Sequence, residues 1–114
     1  MRVHWNKCGD GVWCDLLNLN LNHPHFNDLK GVYVIWRASD GRVVRVGAGE
    51  VAARLMVHRR ATWAKAHGGL LATWTRIEDS QQAGVERFLA DQLNPLEGRA
   101  YPDAVPIPVN LPGQ

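Results

Sequence analysis

Basic side chains with phosphate-binding chemistry are concentrated in one predicted helix. Arg54 and His58 are four residues apart, so they project from the same helix face, which also holds Glu50. We expect this face to be distinct from the apolar face that carries Val51 and Leu55. Because a guanidinium suits bidentate contact with a phosphate, the pattern predicts a phosphate-binding surface.

Further basic residues continue this surface beyond Arg54. Arg59 and Arg60 follow directly, and Lys65 comes one turn later. Trp63 lies among them and is the tryptophan best placed to stack on a nucleobase, although tryptophans are more often core residues. The sequence therefore predicts nucleic-acid contacts by these five side chains.

The charges of the chain are unevenly distributed around a net charge of +2. Residues 31–67 contain seven Lys or Arg against two Asp or Glu, whereas residues 68–114 contain three against six. Residues 1–30 are balanced at three each. A basic middle beside an acidic end is typical of a phosphate-binding surface next to a metal-binding carboxylate, and also of a solvated helix face.

One carboxylate in the acidic part has the chemistry of a metal ligand. Glu86 lies near the start of the last predicted helix, directly after the apolar Val85. Oxygen ligands suit a hard cation such as Mg²⁺ or Mn²⁺, which keeps several waters and needs few carboxylates. A carboxylate at this position is also favoured by the helix dipole, so a purely structural role is the alternative.

Hydrophobic patterning predicts the elements that position these residues. Residues 32–36 and 43–46 are rich in β-branched and aromatic side chains, and the Ser-Asp-Gly turn at 39–41 joins them as a hairpin. A helix is predicted over residues 50–60. Residues 61–65 either extend that helix or begin a second short one.

A third strand over residues 70–77 and a helix over 81–93 complete the order β-β-α-β-α. We therefore predict a single α+β domain, built on a small three-stranded antiparallel sheet flanked by helices. Residues 1–30 form an N-terminal extension, in part extended, and residues 31–98 form the core. Residues 99–114 form an irregular Pro-rich tail that is expected to wrap the surface.

Composition and the cysteines bound the class of protein. Of the 114 residues, 46% are hydrophobic and 21% are charged, as in ordinary globular domains, and no apolar run approaches the roughly 18 residues of a membrane span. The N-terminus lacks a secretory pattern, so we expect a cytoplasmic protein with Cys8 and Cys14 reduced. With His23 and His25 these cysteines form a conceivable metal site, but buried apolar roles are favoured.

Several motifs, in order, resemble those of the GIY-YIG nuclease superfamily. Gly31-Val32-Tyr33 resembles the GIY motif on the first strand, and Arg45-Val46-Gly47 occupies the place of YIG on the second. Arg54 corresponds to the helix arginine of the family, and His58 to the His or Tyr that follows it. Glu86 corresponds to the glutamate of the last helix, and Pro95 to the proline after that helix. The resemblance covers roughly half of the chain.

The resemblance implies a phosphodiesterase that cleaves DNA with one divalent metal ion, Mg²⁺ or Mn²⁺. It implies that Tyr33 activates or positions the attacking water, that Arg54 holds the scissile phosphate and that Glu86 binds the metal. His58 completes the implied catalytic set together with Arg45.

Two positions depart from the family pattern. Arg45 replaces the tyrosine of the second motif, and Gly98 stands nearest to where an asparagine is expected after Pro95. Arg45 is expected either to support the phosphate or to shift the pKa of Tyr33, or else to be an ordinary exposed sheet residue. Three functions stay open: an endonuclease, a catalytically lapsed module that binds nucleic acid or a protein partner, and a structural domain without phosphate chemistry.

Overall fold

The computed structural model describes residues 1–98 and 100–113, so Arg99 and Gln114 of the predicted tail lie outside the described residues. Four strands and three α-helices follow one another in this part of the chain. They are β1 (Cys14–Asp15), β2 (Lys30–Arg37), β3 (Val43–Glu50), α1 (Val51–Arg60), α2 (Thr62–Ala66), β4 (Leu70–Arg76) and α3 (Asp79–Leu93). Two short 3-10 turns, Gly9–Gly11 and Pro24–Phe26, precede β2.

The four strands form one antiparallel sheet in the order β1-β4-β2-β3, which confirms the α+β class. The predicted count of three strands is wrong, because the N-terminal segment adds a fourth. β1 pairs Cys14 with Ala72 and Asp15 with Leu71. A strand of two residues is too short to show alternation, so the partly extended segment predicted within residues 1–30 gave no sign of its pairing.

The predicted hairpin of β2 and β3 is present, and its turn has the expected chemistry. Gly41 adopts a positive φ of 74°, which a residue with a side chain rarely adopts. The Asp40 carboxylate accepts from the Arg37 guanidinium at 2.7 Å and from the backbone N–H of Arg42 at 3.0 Å. Local hydrogen bonds therefore fix this end of the hairpin.

β2 lies between β4 and β3 in the sheet, and it is buried on both faces because other parts of the chain pack against each of them. On one face Tyr33 and Ile35 pack with Leu55 of α1, and on the other Val32 and Val34 pack in a separate cluster with α3. The helices α1 and α3 thus belong to opposite faces of the sheet. Side chains from both helices can meet only around an edge, and β3 is an edge strand.

The helix boundaries decide one alternative that the sequence left open. Ala61 is extended, with φ of −66° and ψ of 147°, so α1 ends before it and α2 is a separate short helix. α3 begins at Asp79, two residues earlier than predicted, and ends at Leu93, after which Asn94 adopts the left-handed conformation. The C-terminal boundary agrees with the predicted limit at residue 93.

The two ends of the chain pair with each other beside α3. Val3 and Asn110 exchange two hydrogen bonds, of 2.7 Å and 3.0 Å, and the Trp5 indole donates to the Asn110 carbonyl at 2.8 Å. Further along the tail, the Ile107 backbone N–H donates to the Gly84 carbonyl of α3 at 3.0 Å. The tail therefore wraps the domain as predicted, and the N-terminal extension is part of the same folded unit.

Cys8 and Cys14 form a disulfide, so the expectation that both are reduced is wrong. The Cys8 N–H donates to the Val12 carbonyl at 2.8 Å, and this tight turn brings the two Cα atoms to 5.1 Å. Sequence spacing alone could not reveal the turn. The bond removes both thiols from the conceivable site with His23 and His25.

Within the described residues, no helix is long and apolar enough to cross a membrane. The cytoplasmic location stays a prediction.

Gly84 is the point at which the tail meets α3, and it generates a stability prediction. A Cβ there would lie 2.6 Å from Ile107 Cγ1 and 2.7 Å from the Val105 carbonyl oxygen. We expect Gly84→Ala to lower the free energy of unfolding by about 1 kcal/mol or more, because overpacking outweighs the gain in helix propensity. Urea denaturation measures this change. The Ala83→Gly variant, at the exposed neighbouring position, is the control for the effect of helix propensity alone. A stabilised Gly84→Ala protein would contradict the described packing.

Candidate active site

Five side chains from four elements come together around the edge strand β3. Tyr33 comes from β2, Arg45 from β3, Arg54 and His58 from α1, and Glu86 from α3. The charges of Arg54, Arg45 and Glu86 all act on the Tyr33 phenol, and those of Arg45 and Arg54 act on both His58 and Glu86. The predicted catalytic residues are therefore neighbours in space, although α1 and α3 lie on opposite faces of the sheet.

A missing side chain at Gly47 makes room for the Tyr33 phenol. Tyr33 and Gly47 are direct partners in the β2–β3 register. A Cβ on Gly47 would overlap the phenol ring and its hydroxyl. The hydroxyl lies 2.6 Å from Nε2 of His58, so strand pairing and one hydrogen bond fix its position. Tyr33 has no exposed surface, and its hydroxyl is sealed from solvent.

His58 does not lie on the exposed face that the sequence predicted. It is 5% exposed and belongs to the buried face of α1 with Val51 and Leu55. Burial lowers the pKa of His58 to about 4, and the charges of Arg45 and Arg54 act in the same direction. The imidazole is therefore neutral near pH 7. Because a neutral imidazole can be buried once it is hydrogen-bonded, the bond to the Tyr33 hydroxyl explains the altered placement.

Arg54 remains exposed and extends past a second glycine of β3. Its Cγ lies 3.7 Å from the point that a Cβ of Gly49 would occupy. The guanidinium lies beside the Tyr33 phenol. Burial raises the pKa of Tyr33, and the arginines only partly oppose this effect, so the phenol keeps its proton at neutral pH.

Glu86 is a half-buried carboxylate on the side of α3 that reaches β3. Burial raises its pKa, while the charges of Arg45 and then Arg54 lower it. Among residues 1–98 and 100–113 no ion pair or hydrogen bond engages this carboxylate. Its oxygen atoms are consequently available to a ligand.

Arg45 is half-buried and so is not an ordinary exposed sheet residue. Its Nε atom is out of contact with water and has no hydrogen-bond partner in the described part of the chain. Its Nη1 atom lies only 2.6 Å from where a Cβ of Gly98 would be. Gly98 has a positive φ of 88°, a conformation that favours glycine. The two departures from the family pattern are therefore in direct contact.

Sequence reasoning missed Tyr101, a half-buried residue of the tail. Its hydroxyl donates to the Glu97 carbonyl at 3.3 Å. Burial raises its pKa, against the charge of Arg45, and the charges of Glu86 and Tyr33 also act on it. Tyr101 thus belongs to the same cluster. A lone tyrosine in a Pro-rich segment carries no sequence signal for such a position.

The predicted nucleic-acid contacts divide into two kinds. Arg59 donates to the carbonyls of Leu16 and Leu19 at 3.3 Å and 2.7 Å, so its guanidinium ties the N-terminal segment to α1. The half-buried Trp63 packs between two imidazoles, at 5.8 Å from that of His58 and 6.1 Å from that of His67.

Arg60 and Lys65, in contrast, are exposed like Arg54. They are the members of the predicted strip that remain accessible to a phosphate backbone.

The donor set around Glu86 is compatible with a hydrated divalent ion. No group of three or more His, Cys, Asp or Glu that could hold a metal occurs among the described residues. A Mg²⁺ ion, however, keeps several waters and is commonly bound by one or two carboxylates together with substrate phosphates. The Glu86 carboxylate, which has no partner among the described residues, has the chemistry of one such ligand, and the charges of Arg45 and Arg54 act on it.

A cleft of about 610 Å³ lies elsewhere, between the N-terminal segment and β4. His23, His25, Phe26 and Trp74 line it, and none of the five predicted catalytic residues does. The candidate active site is therefore defined by its converging polar groups rather than by this cleft.

Comparison with family models, curated proteins and solved structures finds no match to this chain.

The neutral state of His58 generates a prediction about pH dependence. Its pKa is about 4 in the folded protein and about 6.5 in an unfolded chain. Between these values the unfolded state binds more protons than the folded state. The contribution of the neutral His58 to the free energy of unfolding is therefore complete above about pH 6.5 and is lost as the pH falls towards about pH 4. We expect wild type to lose about 2 to 3 kcal/mol more than His58→Gln between about pH 7 and pH 4.5.

Urea denaturation at the two pH values measures this difference. The exposed His4→Gln variant is the matched control and should retain the wild-type loss. Equal losses in wild type and His58→Gln would show that His58 is not a buried neutral imidazole.

Proposed function

We propose that this protein is a metal-dependent endonuclease that hydrolyses phosphodiester bonds of DNA, with a GIY-YIG-like arrangement. The observation that carries the proposal is the convergence of Tyr33, Arg45, Arg54, His58 and Glu86 around one edge strand. They come from four elements, and their order along the chain follows that of the motifs which the sequence resembles.

The charges in this cluster favour an anion. Arg45 and Arg54 carry two positive charges, and Glu86 carries one negative charge. Tyr33 and His58 add none at neutral pH, because burial raises the pKa of the phenol and lowers that of the imidazole. An excess positive charge in a partly buried site attracts a phosphate, and a planar guanidinium can contact two of its oxygens.

Glu86 is the residue that would hold the metal ion. Bound there, Mg²⁺ or Mn²⁺ would act as a Lewis acid on the phosphate and lower the pKa of a water molecule. Arg54 is exposed and its side chain extends over Gly49, so it can bind the scissile phosphate from the solvent side. Arg45 stabilises the charge that develops on the phosphate from its half-buried position.

Tyr33 and His58 act as a positioning pair in this proposal. The phenol keeps its proton and is sealed from solvent. Its hydroxyl is 2.6 Å from His58 Nε2, which holds the two rings in one arrangement beneath Gly47. Of the two roles that the resemblance implied for Tyr33, activating or positioning the attacking water, the proposal retains a positioning role.

The complete burial of Tyr33 favours a second candidate function. A catalytically lapsed module would retain the arginines and bind nucleic acid without cleaving it. Arg60 of α1 and Lys65 of α2 are exposed and would contact the DNA backbone in either case. Binding therefore does not distinguish the two candidates, and cleavage does.

We expect the purified protein to nick supercoiled plasmid in the presence of Mg²⁺ or Mn²⁺ and to stop when EDTA is added. Arg54→Ala should reduce the nicking rate by about 100-fold or more, because one charged contact to the transition state is lost. Glu86→Gln should reduce it to a similar extent by removing the metal-binding charge. Gel densitometry of the nicked form over time measures both effects.

Two exposed positions provide matched controls, Glu78→Gln and Arg42→Ala. Both should nick at the wild-type rate. Nicking that is unchanged in Glu86→Gln and Arg54→Ala would come from a contaminant and would overturn the proposal. Absence of nicking together with salt-sensitive DNA binding would instead support the lapsed module.

A further inference from the structure

We infer that Arg45 and Tyr101 form a phosphate-binding subsite, assembled from the edge of β3 and the C-terminal tail. The subsite would hold an oxygen of the same phosphodiester that Arg54 binds. Its role in cleavage rests on the proposed function, whereas its binding of a phosphate can be tested separately.

Gly98 brings the two side chains of the subsite together. Measured from the point where a Cβ of Gly98 would lie, Arg45 Nη1 is at 2.6 Å and the Tyr101 hydroxyl is at 3.1 Å. Both groups therefore occupy the space that a side chain at position 98 would fill. Gly98 itself has a positive φ of 88°, a conformation that favours glycine.

The Arg45 guanidinium has unused hydrogen-bonding capacity at this place. Its Nε atom is shielded from water and has no partner among the described residues. Leaving a buried charged donor unpaired costs free energy, commonly about 1 to 3 kcal/mol or more. A phosphate oxygen is the acceptor that suits a guanidinium best, so an anion would relieve this cost.

The Tyr101 hydroxyl is placed to exchange its present partner for an anion. Its bond to the Glu97 carbonyl is long, at 3.3 Å. The backbone N–H of Val46, on the open edge of β3, also lies beside the hydroxyl. Because hydrogen bonds to an anionic oxygen are about twice as strong as neutral ones, a phosphate would compete successfully for the phenol proton.

Leu96 and Glu97, which lie just before Gly98, are held against β3 by backbone hydrogen bonds. The N–H groups of Leu96 and Glu97 donate to the carbonyls of Val43 and Val44 at 3.1 Å and 2.7 Å. These two residues therefore pair with the start of the edge strand β3. The Glu97 carboxylate lies 3.3 Å from Nε2 of His67. On this side of the subsite, at Leu96 and Glu97, binding a phosphate would require little ordering of the chain.

The test follows the Arg45 Nε–H signal in ¹H–¹⁵N NMR spectra of the full chain while dimethyl phosphate is added. This probe carries the single negative charge of a phosphodiester and has no base or metal. In wild type we expect a saturable shift of that signal. Tyr101→Phe should raise the dissociation constant about tenfold, because one hydrogen bond to a charged group is lost. Gly98→Ala should weaken binding similarly, since its methyl group overlaps the subsite.

The exposed tail position Val105 supplies the control Val105→Thr, which should retain the wild-type dissociation constant. An unmoved Arg45 signal, or the same dissociation constant in wild type and Tyr101→Phe, would overturn the inference. Plasmid nicking is scored separately. A saturable, Tyr101-dependent shift without nicking would refute the nuclease proposal and leave the subsite in place, whereas nicking at the wild-type rate in Tyr101→Phe would count against the subsite alone.

Discussion

The space left by Gly47 is the constraint on which the candidate site depends. The phenol of Tyr33 fills that space, and its hydroxyl reaches His58 at 2.6 Å. The contact between Tyr33 and His58 thus fixes the rotation of α1 relative to the paired strands β2 and β3. Arg54 lies one turn earlier on the same helix, so its approach to the site is set by the same contact. Any side chain at position 47 would displace the phenol and separate α1 from β3.

Arg45 and Gly98, the two positions at which the sequence differs from the motifs that it resembles, are in contact with each other. Together they are sterically linked, since a side chain at position 98 would overlap Arg45 Nη1. Removing that side chain also admits the Tyr101 hydroxyl. The tail thus contributes a second phenol to the cluster, besides that of Tyr33.

The extent of the sequence prediction follows from the range over which each signal acts. The hairpin, α1 and α3 were predictable because periodicity and turn residues are local, and the motif order predicted that Arg54 and Glu86 would be neighbours. β1 is two residues long, and Tyr101 is positioned by the tail, so neither has a local pattern. The burial of His58 depends on a partner 25 residues away in the sequence, and helix-face reasoning cannot supply that partner.

The protonation states in the cluster impose an order on ligand binding under the proposed function. With Tyr33 and His58 neutral, the net charge of the site comes from two guanidiniums and Glu86 alone. A divalent cation that approached first would be repelled by both arginines and attracted by a single carboxylate. A phosphate that approached first would be attracted by both arginines and would add oxygen ligands next to Glu86. The geometry therefore favours a metal ion that binds with the substrate or after it, so the affinity of the DNA complex for metal should exceed that of the free protein.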